Sequence, residues 1–61
     1  MKQITMIEER TLEELEKEVN SELGFLYEKG YPVESVNIST TFDEGIPERL
    51  ATITFTVPNE N

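Results

Sequence analysis

The stretch T-L-E-E-L-E-K-E-V-N-S-E-L-G-F-L-Y-E-K, residues 11–29, decides the fold because it has the pattern of one amphipathic helix. Its apolar residues recur at spacings of three and four, which places them on a single face: Leu12, Leu15, Val19, Leu23 and Leu26. Thr11 and Glu14 have the spacing of a capping box, and Gly30 is typical of a helix end. We therefore predict a helix over residues 11–29 whose apolar face packs against a sheet.

Gly24 leaves the end of this helix open. As the residue after the last turn it would end the helix near Leu23, whereas inside a helix it costs about 1 kcal/mol relative to Ala. We expect the helix to continue to about Lys29, because Leu26 prolongs the apolar face.

The flanking segments, at about residues 2–8, 33–42 and 49–57, have the alternation of strands. In the first strand Ile4 and Met6 face one way, and Gln3, Thr5 and Ile7 the other. Gly45 and Pro47 mark residues 43–48 as a turn-rich connection. Pro58 ends the last strand, and residues 59–61 are predicted to be frayed.

These elements predict a single α+β domain, residues 1–61, with the order β-α-β-β and one helix on one face of a three-stranded sheet. The first two strands run parallel, either as neighbours or with the third strand between them. We favour the order 1-3-2, because the third strand is the most regular and apolar. In the hairpin, matching apolar residues pairs Val36 with Val57 and Phe42 with Ala51, and it places Ile53 beneath the helix.

One helix is too narrow for this sheet, because a helix is about 10 Å across and three strands span about 14 Å. Some of Met6, Val36, Phe42 or Val57 should therefore stay partly bare, and the outer strands present open edges. A chain of 61 residues without Cys is also marginal in stability. We therefore expect a homodimer at micromolar concentration. Phe25 lies away from the apolar face, and it belongs to the candidate protein-contact residues Phe25, Glu14, Glu18, Ser21 and Glu22.

The charge predicts a solvated acidic surface, with a patch for a basic protein partner as the alternative. Thirteen acidic and five basic residues give a net charge of −8, which repels nucleic acid and anionic membranes and suits a basic protein partner. Neither a signal segment nor a membrane-spanning apolar run is visible, so we expect a cytoplasmic protein.

The residue types for common catalysis are missing. Without His and Cys there is no usual general base, thiol nucleophile or zinc site. Asp43 and Glu44 do not have the spacing of a calcium loop. We expect no enzymatic activity, no catalytic residue, no metal and no cofactor.

The segments M-I-E-E at residues 6–9, L-E-E-L-E-K-E-V-N at 12–20 and E-K-G-Y-P-V at 28–33 resemble the small acidic sporulation proteins of spore-forming Gram-positive bacteria and their prophages. That family has no assigned biochemical activity, so the resemblance implies no functional residues. The order of elements also resembles dodecin, a flavin-binding assembly, but the chain lacks the Trp that stacks on flavin there.

The function that we predict is a non-catalytic interaction or structural module of bacterial or phage origin, acting as a homodimer. One alternative is an acidic mimic of nucleic acid that inhibits a host DNA- or RNA-binding protein. The other is a carrier of a small ligand.

Overall fold

The computed structural model describes residues 1–58 in four elements. They are β1 (Lys2–Glu9), α1 (Leu12–Lys29), β2 (Val33–Asp43) and β3 (Ile46–Thr56). The strands form one antiparallel sheet in the order β1-β3-β2, which confirms the predicted α+β fold with the third strand in the centre. The predicted fraying of residues 59–61 lies outside the described residues.

Both ends of α1 have the caps that the sequence indicates. The Thr11 hydroxyl accepts a hydrogen bond from the Glu14 backbone N–H at 3.2 Å and donates one to the Glu14 carboxylate at 3.2 Å. Gly30 has a left-handed backbone with φ 76°, and Tyr31 N–H donates to the Leu26 carbonyl at 2.9 Å. The helix therefore passes through Gly24 and ends at Lys29, so the longer of the two predicted helices is correct.

A tight turn sets the register of the β2–β3 hairpin. Glu44 and Gly45 both have positive φ, 52° and 82°, and Asp43 pairs with Ile46 across them. Two left-handed residues match the twist of a two-residue hairpin, and such a turn dictates every pair that follows. Both strands therefore extend further towards the turn than predicted.

The predicted hairpin pairs are wrong for this reason. Val36 pairs with Ile53 instead of Val57, and Phe42 pairs with Pro47 instead of Ala51. Matching apolar residues cannot distinguish registers that differ by an even number of residues, because every such register places the same side chains on the same face. The predicted faces of β2 and β3 are correct although the pairs are not.

The core lies between α1 and the centre of the sheet. Ile53 is completely buried, as predicted, in a cluster with residues from the helix and from β3: Leu15, Val19, Leu26, Ala51 and Phe55. Four half-buried side chains pack against this cluster: Ile7, Leu23, Tyr31 and Val57.

Strand β1 presents Thr5 and Ile7 to the helix, because they lie opposite Ile53 and Ala51. Ile4 and Met6 face the other side of the sheet and are 60% and 61% exposed. Met6 is bare, as predicted, but the narrow helix is not the cause. The pairing register with β3 turns this side chain to the uncovered face.

The helix packs over β1 and β3, and β2 is left uncovered. Every residue of β2 is exposed. The radius of gyration is 13.1 Å, whereas a compact domain of this length has about 10–11 Å. The molecule is therefore elongated, and one side of its sheet lacks a covering layer.

Candidate functional site

Four apolar side chains of β2 form an exposed row, which we call the open strip: Val33, Val36, Ile38 and Phe42. They lie on the helix side of the sheet, because their partners on β3 are Phe55, Ile53, Ala51 and Pro47. Their exposed fractions are 39%, 39%, 59% and 71%. The strip includes Val36 and Phe42, two of the residues predicted to stay bare beside a narrow helix.

The backbone of β2 carries a second open feature on its outer edge. Thr56 N–H donates to the Pro32 carbonyl at 2.9 Å, and Val57 N–H donates to the Met1 carbonyl at 2.8 Å. Because strand residues alternate in direction, even-numbered residues of β3 bond to β2 and odd-numbered residues to β1. The even-numbered residues of β2 therefore direct their N–H and C=O groups away from the sheet: Val36, Ile38, Thr40 and Phe42.

Pro47 fits the same alternation of hydrogen-bonding directions along β3. It is an odd-numbered residue of β3, so the side on which it lacks an N–H faces β1. Strand β1 has already ended there, since its last pair is Glu9 with Arg49. The proline therefore interrupts no hydrogen bond between strands.

The open edge of β2 lacks the devices that normally discourage edge pairing. Residues 35–42 contain no charged side chain and no proline, and the bulge of β2 lies before them, between Val33 and Ser35. On the other edge, β1 has only five uncharged residues, Gln3–Ile7, between Lys2 and Glu8, whereas β2 has eight between Glu34 and Asp43. The two edges of the sheet therefore differ in their readiness to pair with another strand.

A polar clamp holds the base of β2. The Thr56 hydroxyl donates to the Glu34 carboxylate at 2.6 Å, and Lys2 Nζ lies 3.2 Å from that carboxylate. These contacts, first the hydrogen bond from Thr56 and then that from Lys2, lower the pKa of Glu34 below its ordinary value. The clamp connects all three strands at this end of the sheet.

The helix N-terminus borders an open acidic depression of about 380 Å³, lined by Glu8, Glu9, Arg10, Glu14 and Glu48. Arg49 Nη1 donates to the Arg10 carbonyl at 3.0 Å and so fixes the connection between β1 and α1. Partial desolvation, then the charges of Glu14 and Glu18, raise the pKa of Glu9. Among the residues in and around this depression, Glu14 and Glu18 are predicted protein-contact residues.

The predicted protein-contact residues share one flank of the helix. Glu14 and Glu18 lie close to Glu9, so this flank borders β1 and not the open strip. Ser21 is exposed and Glu22 is half-buried. Phe25 is 52% exposed, and Lys29 Nζ lies 5.6 Å from its ring centroid.

The open edge of β2 is as predicted for an outer strand, whereas Ile38 is not among the residues predicted to stay bare. Apolar matching would pair Ile38 with Phe55, whereas its partner in the sheet is Ala51. The signal that could have found it is Glu44-Gly45, whose turn chemistry sets the true register.

Within residues 1–58 no group of His, Cys, Asp or Glu is close enough to hold a metal ion. The helix that the structure describes does not combine the length and the apolar character needed to cross a membrane.

Comparisons with family models, with curated proteins and with solved structures find no match for this chain. The resemblance to sporulation proteins therefore stays a prediction.

Proposed function

We propose that this protein is a small acidic protein-binding module without catalytic activity, and that it acts as a homodimer. The observation that carries the proposal is the open strip on β2. A contiguous row of exposed apolar side chains beside an unpaired strand edge is typical of a protein-binding surface.

The size of the chain supports the same conclusion. Within residues 1–58, the buried core consists of six side chains, whereas eleven large apolar side chains are exposed. Fully burying one such side chain contributes about 1.5–3 kcal/mol, and association costs roughly 4–15 kcal/mol. Burying the open strips of two copies against each other would offset part or all of this cost.

Sedimentation equilibrium over a dilution series tests the homodimer. We expect a concentration-dependent mass between 7.0 kDa and twice that value. A 7.0 kDa species at every concentration would overturn the homodimer.

Two matched variants locate the contact surface. Ile38→Ser alters the open strip and Phe25→Ser alters the helix flank, at positions that are 59% and 52% exposed. We expect Ile38→Ser to weaken association and Phe25→Ser to leave it unchanged. The reverse result would transfer the interface to the predicted contact residues around Phe25.

A second candidate is binding of a basic protein, as a mimic of nucleic acid would do. It is favoured by the acidic depression beside the helix N-terminus, where the four carboxylates of Glu8, Glu9, Glu14 and Glu48 lie beside one basic side chain, Arg10. Calorimetric titration with a Lys/Arg decapeptide tests it. Binding that falls steeply with salt and weakens in Glu9→Gln would support this function, whereas no heat at low salt at either of two temperatures would exclude it.

The remaining alternative, a small-ligand carrier, receives no such support. The depression described above is lined by carboxylates and Arg10, whereas a carrier needs a largely apolar cavity. A bacterial or phage origin, a role in sporulation and a cytoplasmic location rest on sequence resemblance and composition alone.

A further inference from the structure

We propose that the β2 edges of two copies pair antiparallel about a two-fold axis at Ser39, which joins the two sheets into one of six strands. This inference rests on the homodimer proposed above and specifies its interface and register. The partner is a second copy of this chain.

The directions of the free backbone groups restrict the possible registers. The unpaired N–H and C=O groups belong to Val36, Ile38, Thr40 and Phe42. Hydrogen bonds between two β2 strands therefore require an even-numbered residue opposite an even-numbered residue. An axis at Ser39 meets this condition, because it places Val36 opposite Phe42 of the partner subunit and Ile38 opposite its Thr40.

Charge selects this register from its neighbours. Each copy has a net charge of −8, so two copies can approach closely only where charge is absent. With the axis at Ser39, the uncharged segment Val36–Phe42 pairs with itself, and Glu34 lies opposite Glu44 of the partner subunit only beyond the ends of that segment. A shift of the axis by one residue would place Glu34 opposite Phe42, or Glu44 opposite Val36, and would bring a carboxylate into the paired segment.

The side chains are self-complementary in this arrangement. On the helix side, the open strips of both copies meet and Val36 covers Phe42 of the partner subunit. On the other face, Ser39 meets its own copy, and Asn37 lies opposite Thr41 of the partner subunit. Apolar pairs on one face and hydroxyl or amide pairs on the other stabilise antiparallel strands. The same pairing satisfies the open backbone edge.

Two cysteine variants test the register in a chain that has no native Cys. Ser39→Cys would occupy a non-hydrogen-bonded pair with its own copy, at about 4.5 Å between Cα atoms, which suits a disulfide. Thr41→Cys is the matched control on the same face of the same strand. Its two copies would lie about 13 Å apart along the strands, too far for a disulfide.

We expect Ser39→Cys to form a covalent dimer under mild oxidation, with at least tenfold higher yield than Thr41→Cys. Equal yields would indicate random collision and overturn the register. If neither variant cross-links although the wild type is dimeric by sedimentation, the homodimer stands and the β2–β2 interface is wrong. A monomeric wild type removes both proposals.

A second measurement tests the backbone hydrogen bonds directly. Thr40→Pro removes an N–H that points to the free edge, while the bonds to β3 belong to Ser39 and Thr41. Thr40→Ala is the control, since it changes the side chain and keeps the N–H. We expect Thr40→Pro to weaken dimerisation at least tenfold and Thr40→Ala to change it less than threefold. A folded Thr40→Pro variant that dimerises like the wild type overturns the edge pairing, and if it does not fold, the cysteine pair decides.

Discussion

Tyr31 and Phe55 stack with their ring planes 3° apart and their centroids separated by 6.2 Å. Tyr31 follows the C-terminal cap of α1, and Phe55 lies near the end of the central strand. The stack therefore closes the core where the helix returns the chain to the sheet. Aromatic pairs of this kind add about 0.5–1.5 kcal/mol beyond the area that they bury.

Replacing Tyr31 should therefore destabilise the fold. We expect Tyr31→Ser to lower the free energy of unfolding by about 1–3 kcal/mol, because it removes the stack and part of the apolar cover of Phe55. Urea denaturation at fixed protein concentration measures this value. Tyr27→Ser is the control: Tyr27 is 85% exposed, and Ser and Tyr have similar helix propensities, so the change should stay within about 0.5 kcal/mol. Equal effects of the two variants would contradict a stabilising role of the stack.

Ile53 offers a test of the core. It is completely buried, so Ile53→Ala should cost about 2–4 kcal/mol through lost burial and a residual cavity. Ile4→Ala makes the same chemical change at a strand position that is 60% exposed, and it should cost less than about 1 kcal/mol. Denaturation curves that coincide for the two variants would mean that the faces of the sheet are assigned wrongly.

The hairpin turn contains a residue that can be improved. Glu44 has φ 52°, a left-handed backbone that costs a non-glycine L-residue about 1–2 kcal/mol, and Asn tolerates it better. Glu44→Asn should raise the free energy of unfolding by about 0.5–1 kcal/mol. Glu44→Gln removes the same charge without this backbone preference. If both variants raise the melting temperature equally, charge and not turn conformation is responsible.

Stability should depend on pH through two glutamates of opposite shift. The pKa of Glu9 is raised in the fold, so its favourable contribution is present when it is protonated and is lost as pH rises through that value. The pKa of Glu34 is lowered, so its contribution is present above its ordinary value and is lost as pH falls through the lowered one. The melting temperature should therefore fall as pH rises through the raised pKa of Glu9, and also as pH falls through the lowered pKa of Glu34.

One variant for each glutamate separates the two sides of this dependence of melting temperature on pH. Glu9→Gln should raise the melting temperature at pH 7 and flatten the decline towards neutrality. Thr56→Val, which removes the hydroxyl donor to Glu34, should weaken the decline at acid pH instead. Melting curves between about pH 3 and pH 8 at constant ionic strength are the measurement. A profile in which neither side responds to its variant would contradict the assignment.

Salt should stabilise this protein. Lys2–Glu34 is the only ion pair within residues 1–58, whereas the chain carries a net charge of −8. Screening therefore weakens much more repulsion than attraction. We expect the melting temperature to rise between low salt and about 0.2 M NaCl. A constant or falling melting temperature over that range would show that repulsion does not limit stability.

The local elements follow from the sequence because their signals are short in range. The period of the apolar residues predicts the helix. Its first turn is predicted by Thr11 and Glu14, and its end by Gly30. Alternation predicts the faces of β2 and β3, because side-chain direction repeats every two residues. The order β1-β3-β2 also follows, since a regular apolar strand is best placed in the centre. Composition alone indicates a surface dominated by negative charge.

Only the tertiary structure decided the register of the β2–β3 hairpin and which side chains of the sheet the helix covers. Apolar matching does not distinguish registers of equal parity, so the conformation of Glu44 and Gly45 determined which residues of β2 and β3 meet. The position of the helix over β1 and β3 then left Ile38 and Phe42 in the open strip. The cover is not a local feature, because it depends on how far the helix and the sheet slide past one another before packing stops them. The candidate site arises where that sliding leaves a strand edge and an apolar row without a partner.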